Sequence, residues 1–138
     1  MYFQCNSTLF FNSKRKCIHY LSFCLKGICR LEGLISIIVK EFSKEIIEAR
    51  TGKEAVEMCQ KNPDIDLIIM DIQMPEMNGY QATQQIRQFN KDVIIIAQTA
   101  FGLSGDKERA IEAGCNDYIS KPIHSSELVS LIQKYFNE

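Results

Sequence analysis

From residue 45 onward, uninterrupted apolar runs alternate with stretches whose apolar positions recur at helical spacing. Leu67-Ile68-Ile69-Met70 and Val93-Ile94-Ile95-Ile96-Ala97 are apolar throughout. That is the pattern of strands covered on both faces. Tyr118-Ile119-Ser120 reads as a third, shorter strand after these two, and Glu45–Ala49 as a short strand candidate ahead of them. Between the runs lie helix signals. Thr51-Gly52-Lys53-Glu54 has the spacing of a capping box, and Asn62-Pro63 stops the helix that follows. A loop over Gln73–Gly79 leads into a helix near Tyr80–Phe89. Ser104 and Asp106 open another, which Ala113-Gly114 closes with a glycine suited to a left-handed cap. Ser125 caps a last helix carrying Leu128, Val129, Leu131, Ile132, Tyr135 and Phe136. Strand and helix in alternation, with buried strands, predict an α/β fold with a parallel sheet.

The first third is less regular. Ile18–Leu25 is a strand candidate, and Leu31, Leu34, Ile35, Ile38 and Phe42 predict a helix over roughly residues 28–42. Residues 1–17 show no period and read as a poorly patterned arm. The expected organisation is an arm at 1–17 and one domain at 18–138, strongly patterned over 45–136 and degenerate over 18–44.

Composition narrows the class. At 138 residues, 46% of them hydrophobic, the chain makes one domain with a real core, not a disordered, collagen-like or coiled-coil chain. Sixteen basic against seventeen acidic residues leave a net charge of −1, so no broad nucleic-acid footprint is expected. None of the 6 cysteines stands in a C-x-x-C pair, which favours reduced thiols and the cytoplasm. No run of 18 apolar residues is present, so no membrane-spanning helix is expected. Lys14-Arg15-Lys16 before Ile18–Leu25 is only faintly like a signal peptide, because the apolar part is short and Lys26 follows at once.

In open parallel sheets ligands bind beyond the carboxyl ends of the strands. Leu67–Met70 ends in Asp71, Val93–Ala97 runs through Gln98 to Thr99, and Tyr118–Ser120 ends in Lys121-Pro122. Each alone has a plain structural reading as a turn opener, a cap or a solvated amine. Together they bring an acid, a hydroxyl and an amine to one rim. A carboxylate can attack phosphorus, and a hydroxyl and an ammonium can hold the moving oxygens.

Asp66-Leu67-Ile68-Ile69-Met70-Asp71-Ile72-Gln73-Met74-Pro75-Glu76-Met77-Asn78-Gly79 resembles the phosphoacceptor strand and loop of two-component response regulator receiver domains. Thr99-Ala100 and Tyr118-Ile119-Ser120-Lys121-Pro122 resemble its later motifs, at intervals of 28 and 22 residues between Asp71, Thr99 and Lys121. The resemblance implies a flavodoxin-like, doubly wound, five-stranded parallel sheet in the order 2-1-3-4-5, with helices on both faces. It implies a regulatory phosphoacceptor, not an enzyme: Asp71 takes a phosphoryl group from a sensor histidine kinase or a histidine phosphotransfer domain. Thr99, the Ala100 backbone N–H and Lys121 would hold the phosphoryl oxygens. Thr99 and Tyr118 would form the switch. Asp71 and the Gln73 backbone carbonyl would ligate Mg²⁺. Partner binding, including a homodimer, would use the face of the fourth helix, fifth strand and fifth helix, counting the helix at 28–42 as the first. Direct DNA binding is not expected, because no helix-turn-helix follows the receiver pattern.

One departure from the family stands out. Receivers carry two adjacent acidic residues at the end of the first strand, and these hold the magnesium. An ungapped reading back from Thr51-Gly52 puts that pair at Leu25-Lys26, where neither residue is acidic. Magnesium should therefore bind weakly, and Lys26 would instead bring an ammonium near Asp71. Two explanations compete: a degenerate receiver acting as a phosphorylation-independent interaction module, or a damaged or mis-framed reading of residues 1 to about 30. The abrupt change of pattern near residues 30–34 favours the second. A dehalogenase-like phosphatase would need an acid two residues after its nucleophile, where Gln73 stands. No Gly-rich nucleotide-binding run occurs.

Overall fold

The computed structural model describes residues 8–11, 48–74, 76–100 and 104–136. The elements are β1 (Thr8–Phe11), β2 (Glu48–Ala49), α1 (Gly52–Lys61), β3 (Leu67–Asp71), α2 (Gly79–Phe89), β4 (Ile94–Thr99), α3 (Asp106–Ala113), β5 (Asp117–Ser120) and α4 (Ser125–Phe136). From Glu48 on they follow the alternation expected from the sequence.

The strands β3, β4 and β5 run parallel, with Leu67 opposite Ile94, Asp71 opposite Gln98 and Thr99 opposite Ser120. Every residue of β3 is buried. Its alternate residues feed two separate cores, as a strand with period two requires. Ile68 and Met70 join Ile95, Ala97 and the inner faces of α1 and α2 through Ala55, Cys59, Ala82 and Ile86. Leu67 and Ile69 join Ile96, Ile119 and the α4 residues Leu128 and Ile132. Helices thus cover both faces of the sheet. Among the described residues no helix is long and apolar enough to cross a membrane.

The sheet order is β2-β1-β3-β4-β5. Its sense differs from an all-parallel sheet on one side, because β1 pairs antiparallel with both β2 and β3. This strand comes from the segment that reads as an arm without period. Four residues are too few to display an alternation, so only the pairing with β3 reveals it. The strand expected at Ile18–Leu25 and the helix expected over 28–42 lie outside the described residues.

Local chemistry explains the helix ends. Thr51 Oγ1 accepts from the Glu54 N–H at 3.1 Å. Glu54 reaches back to the Arg50 N–H at 2.6 Å, one residue beyond the partner a strict capping box would use. A complete capping box forms at α2, where Asn78 Oδ1 accepts from the Gln81 N–H at 2.9 Å and Gln81 Oε1 accepts from the Asn78 N–H at 3.1 Å. At α3 the N-cap is Gly105 with φ 98°, not a side-chain cap from Ser104 or Asp106. Its C-cap is Gly114, with φ 109°, as expected of the left-handed position.

Candidate functional site

The carboxyl ends of β3, β4 and β5 form one rim, with β4 in the middle. Asp71 closes β3 and is fully buried. Its Oδ1 accepts from the Gln73 N–H at 2.8 Å, a turn in which a side chain takes the place of a backbone acceptor. Its Oδ2 meets the Lys121 ammonium at 2.7 Å, in a pair whose lysine side chain is 16% exposed. Lys121 is held at that place by its own backbone, since its N–H donates to the Thr99 carbonyl at 2.7 Å. The Lys121-Pro122 peptide bond is cis.

Thr99 ends β4 and is buried. Its hydroxyl donates to the Tyr118 hydroxyl at 3.3 Å, which links the two residues named as a switch. Ala100 follows Thr99 directly and is half-buried. The structure therefore joins Asp71 to Lys121 by direct contact, Lys121 to Thr99 through the backbone, and Thr99 to Tyr118 through hydroxyls. Leu25 and Lys26 lie outside the described residues.

The residue whose place sequence reasoning missed is Gly79. It opens α2, and its N–H donates to the Ile72 carbonyl at 3.0 Å. A Cβ there would fall on the Asp71 carbonyl oxygen and crowd Ile72 Cα at 2.9 Å. The absence of a side chain lets α2 start directly against the turn that aims Asp71. The signal was present in Asn78-x-x-Gln81, a capping box that starts a helix at Gly79.

Among the described residues the donors at this rim fit a hard divalent cation poorly. Such a cation wants several oxygen ligands, most of them carboxylates when the protein supplies them. Asp71 is a single carboxylate, with one oxygen on the Gln73 N–H and the other on the Lys121 ammonium. Among the described residues no three His, Cys, Asp or Glu side chains cluster as a metal site. No two acidic residues are adjacent anywhere in the chain.

A doubly wound α/β sheet with an acid, a hydroxyl and a lysine at successive strand ends defines the flavodoxin-like class of regulatory domains. Within it, the family model for the response regulator receiver domain matches residues 30–133. The chain belongs to that family, whose members work in two-component phosphorelays through an aspartyl phosphate. The polar-differentiation response regulator DivK of Brucella ovis is 35% identical over 103 residues, covering 73% of this chain and 83% of DivK. The receiver domain of Ssk1 from Saccharomyces cerevisiae, crystallised with the histidine phosphotransfer protein Ypd1, is similar as a structure. That match has a TM-score of 0.69 and 31% identity, over 77% of this chain and 81% of that one. The receiver domain of the sensor histidine kinase PA1611 from Pseudomonas aeruginosa, solved with magnesium in its active-site cleft, gives a TM-score of 0.66. Its identity is 32%, over 78% of this chain and 88% of that one. These likenesses support the flavodoxin-like receiver fold, with its parallel sheet and helices. The family match begins at residue 30, beyond Leu25 and Lys26.

Proposed function

We propose that this receiver takes a phosphoryl group on Asp71 from a phosphohistidine of a sensor kinase or a histidine phosphotransfer domain. The observation that carries the reading is the buried Asp71 carboxylate with the Lys121 ammonium at 2.7 Å. The adjacent cation is already in place for the incoming phosphoryl charge. The Thr99 hydroxyl and the Ala100 N–H complete the donor set. As the phosphoryl group draws the Thr99 hydroxyl, its bond to Tyr118 breaks and the ring is released to move. New charge at one strand end thereby changes the surface around α3, β5 and α4, the face proposed for partner binding and for a homodimer. The Ypd1 complex of the related Ssk1 receiver supports a phosphotransfer partner. The buried free thiols Cys59 and Cys115 agree with a reducing compartment such as the cytoplasm. We propose further that β1, beside β3 in the sheet, stands where an all-parallel receiver sheet, ordered 2-1-3-4-5, has its first strand.

The test is intact mass after incubation with acetyl phosphate. Gain of one phosphoryl group, absent in Asp71→Asn, supports the reading. Modification elsewhere or none overturns it.

A second reading has its own observation in the missing adjacent acids. A receiver that does not take phosphate would bind its partner through the same face. Equal partner binding by the unaltered chain and Asp71→Asn, with no labelling of either, would select it.

A further inference from the structure

We infer that the pocket at Asp71 accepts its anion without a divalent cation, with the Lys121 ammonium as the positive charge facing the phosphoryl group. This rests on reading Asp71 as the phosphoacceptor and goes further by assigning the source of countercharge.

The ligand supply comes first. A magnesium site at this rim needs further hard oxygen ligands, and the strand beside β3 is the described neighbour on that side. That neighbour is β1, whose four residues Thr-Leu-Phe-Phe include no acid. Because it runs antiparallel, with Leu9 opposite Ile69 and Phe11 opposite Leu67, its first residue lies toward the Asp71 end. The chain has no acidic residue at all before Glu32. Among the described residues, that neighbouring strand therefore offers no hard anionic ligand.

Charge balance comes next. A dication held by two carboxylates adds nothing to the net charge of a pocket, so removing all three leaves it unchanged. Among the described residues the charged pair at the rim is then Asp71 and Lys121, which oppose each other at 2.7 Å. The ammonium carries three N–H donors, so it can keep one on the aspartyl oxygen while another reaches a phosphoryl oxygen. The backbone bond from Lys121 to Thr99 holds that amine on the rim while its partner changes.

The chemistry closes without a metal. An Asp71 carboxylate oxygen attacks the phosphorus of an acyl phosphate and a new O–P bond forms. The P–O bond to the acyl group breaks, and its electron pair leaves on the departing carboxylate. No proton, oxidant or reductant enters the balance.

The experiment combines two measurements on the full chain. Mn²⁺ is titrated into the unaltered protein and Asp71→Asn, followed by water-proton relaxation. Acetyl phosphate labelling is followed by intact mass in EDTA and in Mg²⁺. The expected results are no saturable Mn²⁺ binding dependent on Asp71, and labelling rates within about twofold in the two buffers. Lys121→Met should lose roughly tenfold or more of that rate in both buffers, while Lys121→Arg, which keeps the charge, retains part of it. Saturable Mn²⁺ binding lost in Asp71→Asn, or labelling that EDTA abolishes, overturns the inference and leaves the phosphoacceptor reading standing. No labelling in either buffer overturns the phosphoacceptor reading, and the Mn²⁺ titration, which needs no transfer, still decides whether the pocket takes a cation.

Discussion

Lys121 at the end of β5 reaches the carboxylate of Asp71 at the end of β3, fifty positions earlier in the chain, at 2.7 Å. The two are not hydrogen-bonded strand neighbours, because β4 lies between them. The pair spans the middle strand and ties the rim across its width.

That relationship has an energetic consequence. Removing one member of a buried ion pair strands the other charge, at roughly 3–5 kcal/mol when burial is complete. Lys121→Met leaves the fully buried Asp71 carboxylate without its ammonium and should cost about 3–5 kcal/mol. Asp71→Asn leaves behind the Lys121 ammonium, which keeps some solvent contact, and should cost less, about 1–2 kcal/mol. Urea denaturation of both variants checks the order. A larger loss for Asp71→Asn would show that the carboxylate, not the pairing, holds the rim.

Gly79 should be irreplaceable for a steric reason. The added methyl of Gly79→Ala would strike the Asp71 carbonyl, which is backbone and cannot swing away. We expect a loss of about 1–3 kcal/mol, the range for overpacking, together with weaker labelling of Asp71. A Gly79→Ala protein as stable as the unaltered one would refute the close approach.

Arg87 joins parts of the fold that no single element connects. Its Nε donates to the Gly114 carbonyl at 2.8 Å, one terminal nitrogen to the Val93 carbonyl at 2.7 Å, and the other to Asn116 Oδ1 at 2.7 Å. The same Asn116 oxygen accepts from the Ile95 N–H at 2.8 Å. Burial lowers the guanidinium pKa, offset in part by nearby Cys115, Asp92 and Cys59. Arg87→Met would leave several carbonyls without donors and should cost about 2–4 kcal/mol in urea denaturation, given roughly 1–3 kcal/mol for each unsatisfied buried group. Arg87→Lys, with no planar fork, should recover only part.

Acid should loosen the α4 end of the domain. Burial alone would push the Asp117 carboxyl up, but it is outweighed. The Lys134 ammonium at 2.7 Å, the Tyr118 N–H and the Tyr135 hydroxyl hold it below its ordinary value. A carboxyl lowered by folding adds stability above its unfolded pKa of about 3.9, and that stability is lost as the pH falls through the lowered folded value. The melting temperature of Asp117→Asn should therefore lie below that of the unaltered chain at neutral pH, and the gap should close in strong acid. Lys134 is well exposed, so added salt should narrow the gap as well. A gap independent of both pH and salt would assign the effect to shape alone.

The sequence by itself determined the alternation of elements from Glu48 to the C-terminus and the residues that end the three parallel strands. β3 and β4 begin as continuous apolar runs and β5 is a shorter strand, so the polar residues that follow them mark the carboxyl ends of the strands. Asp71, Thr99 and Lys121 were legible for that reason, and Gly114 because its cap demands a positive φ. The tertiary structure alone decided that Thr8–Phe11 lies antiparallel beside β3, that Lys121 selects Asp71, and that Arg87 gathers three loops. Strand pairing and long side-chain reach are set by contacts between residues distant in the chain. A four-residue strand has too few positions to record its partner, its direction or its register in its own sequence.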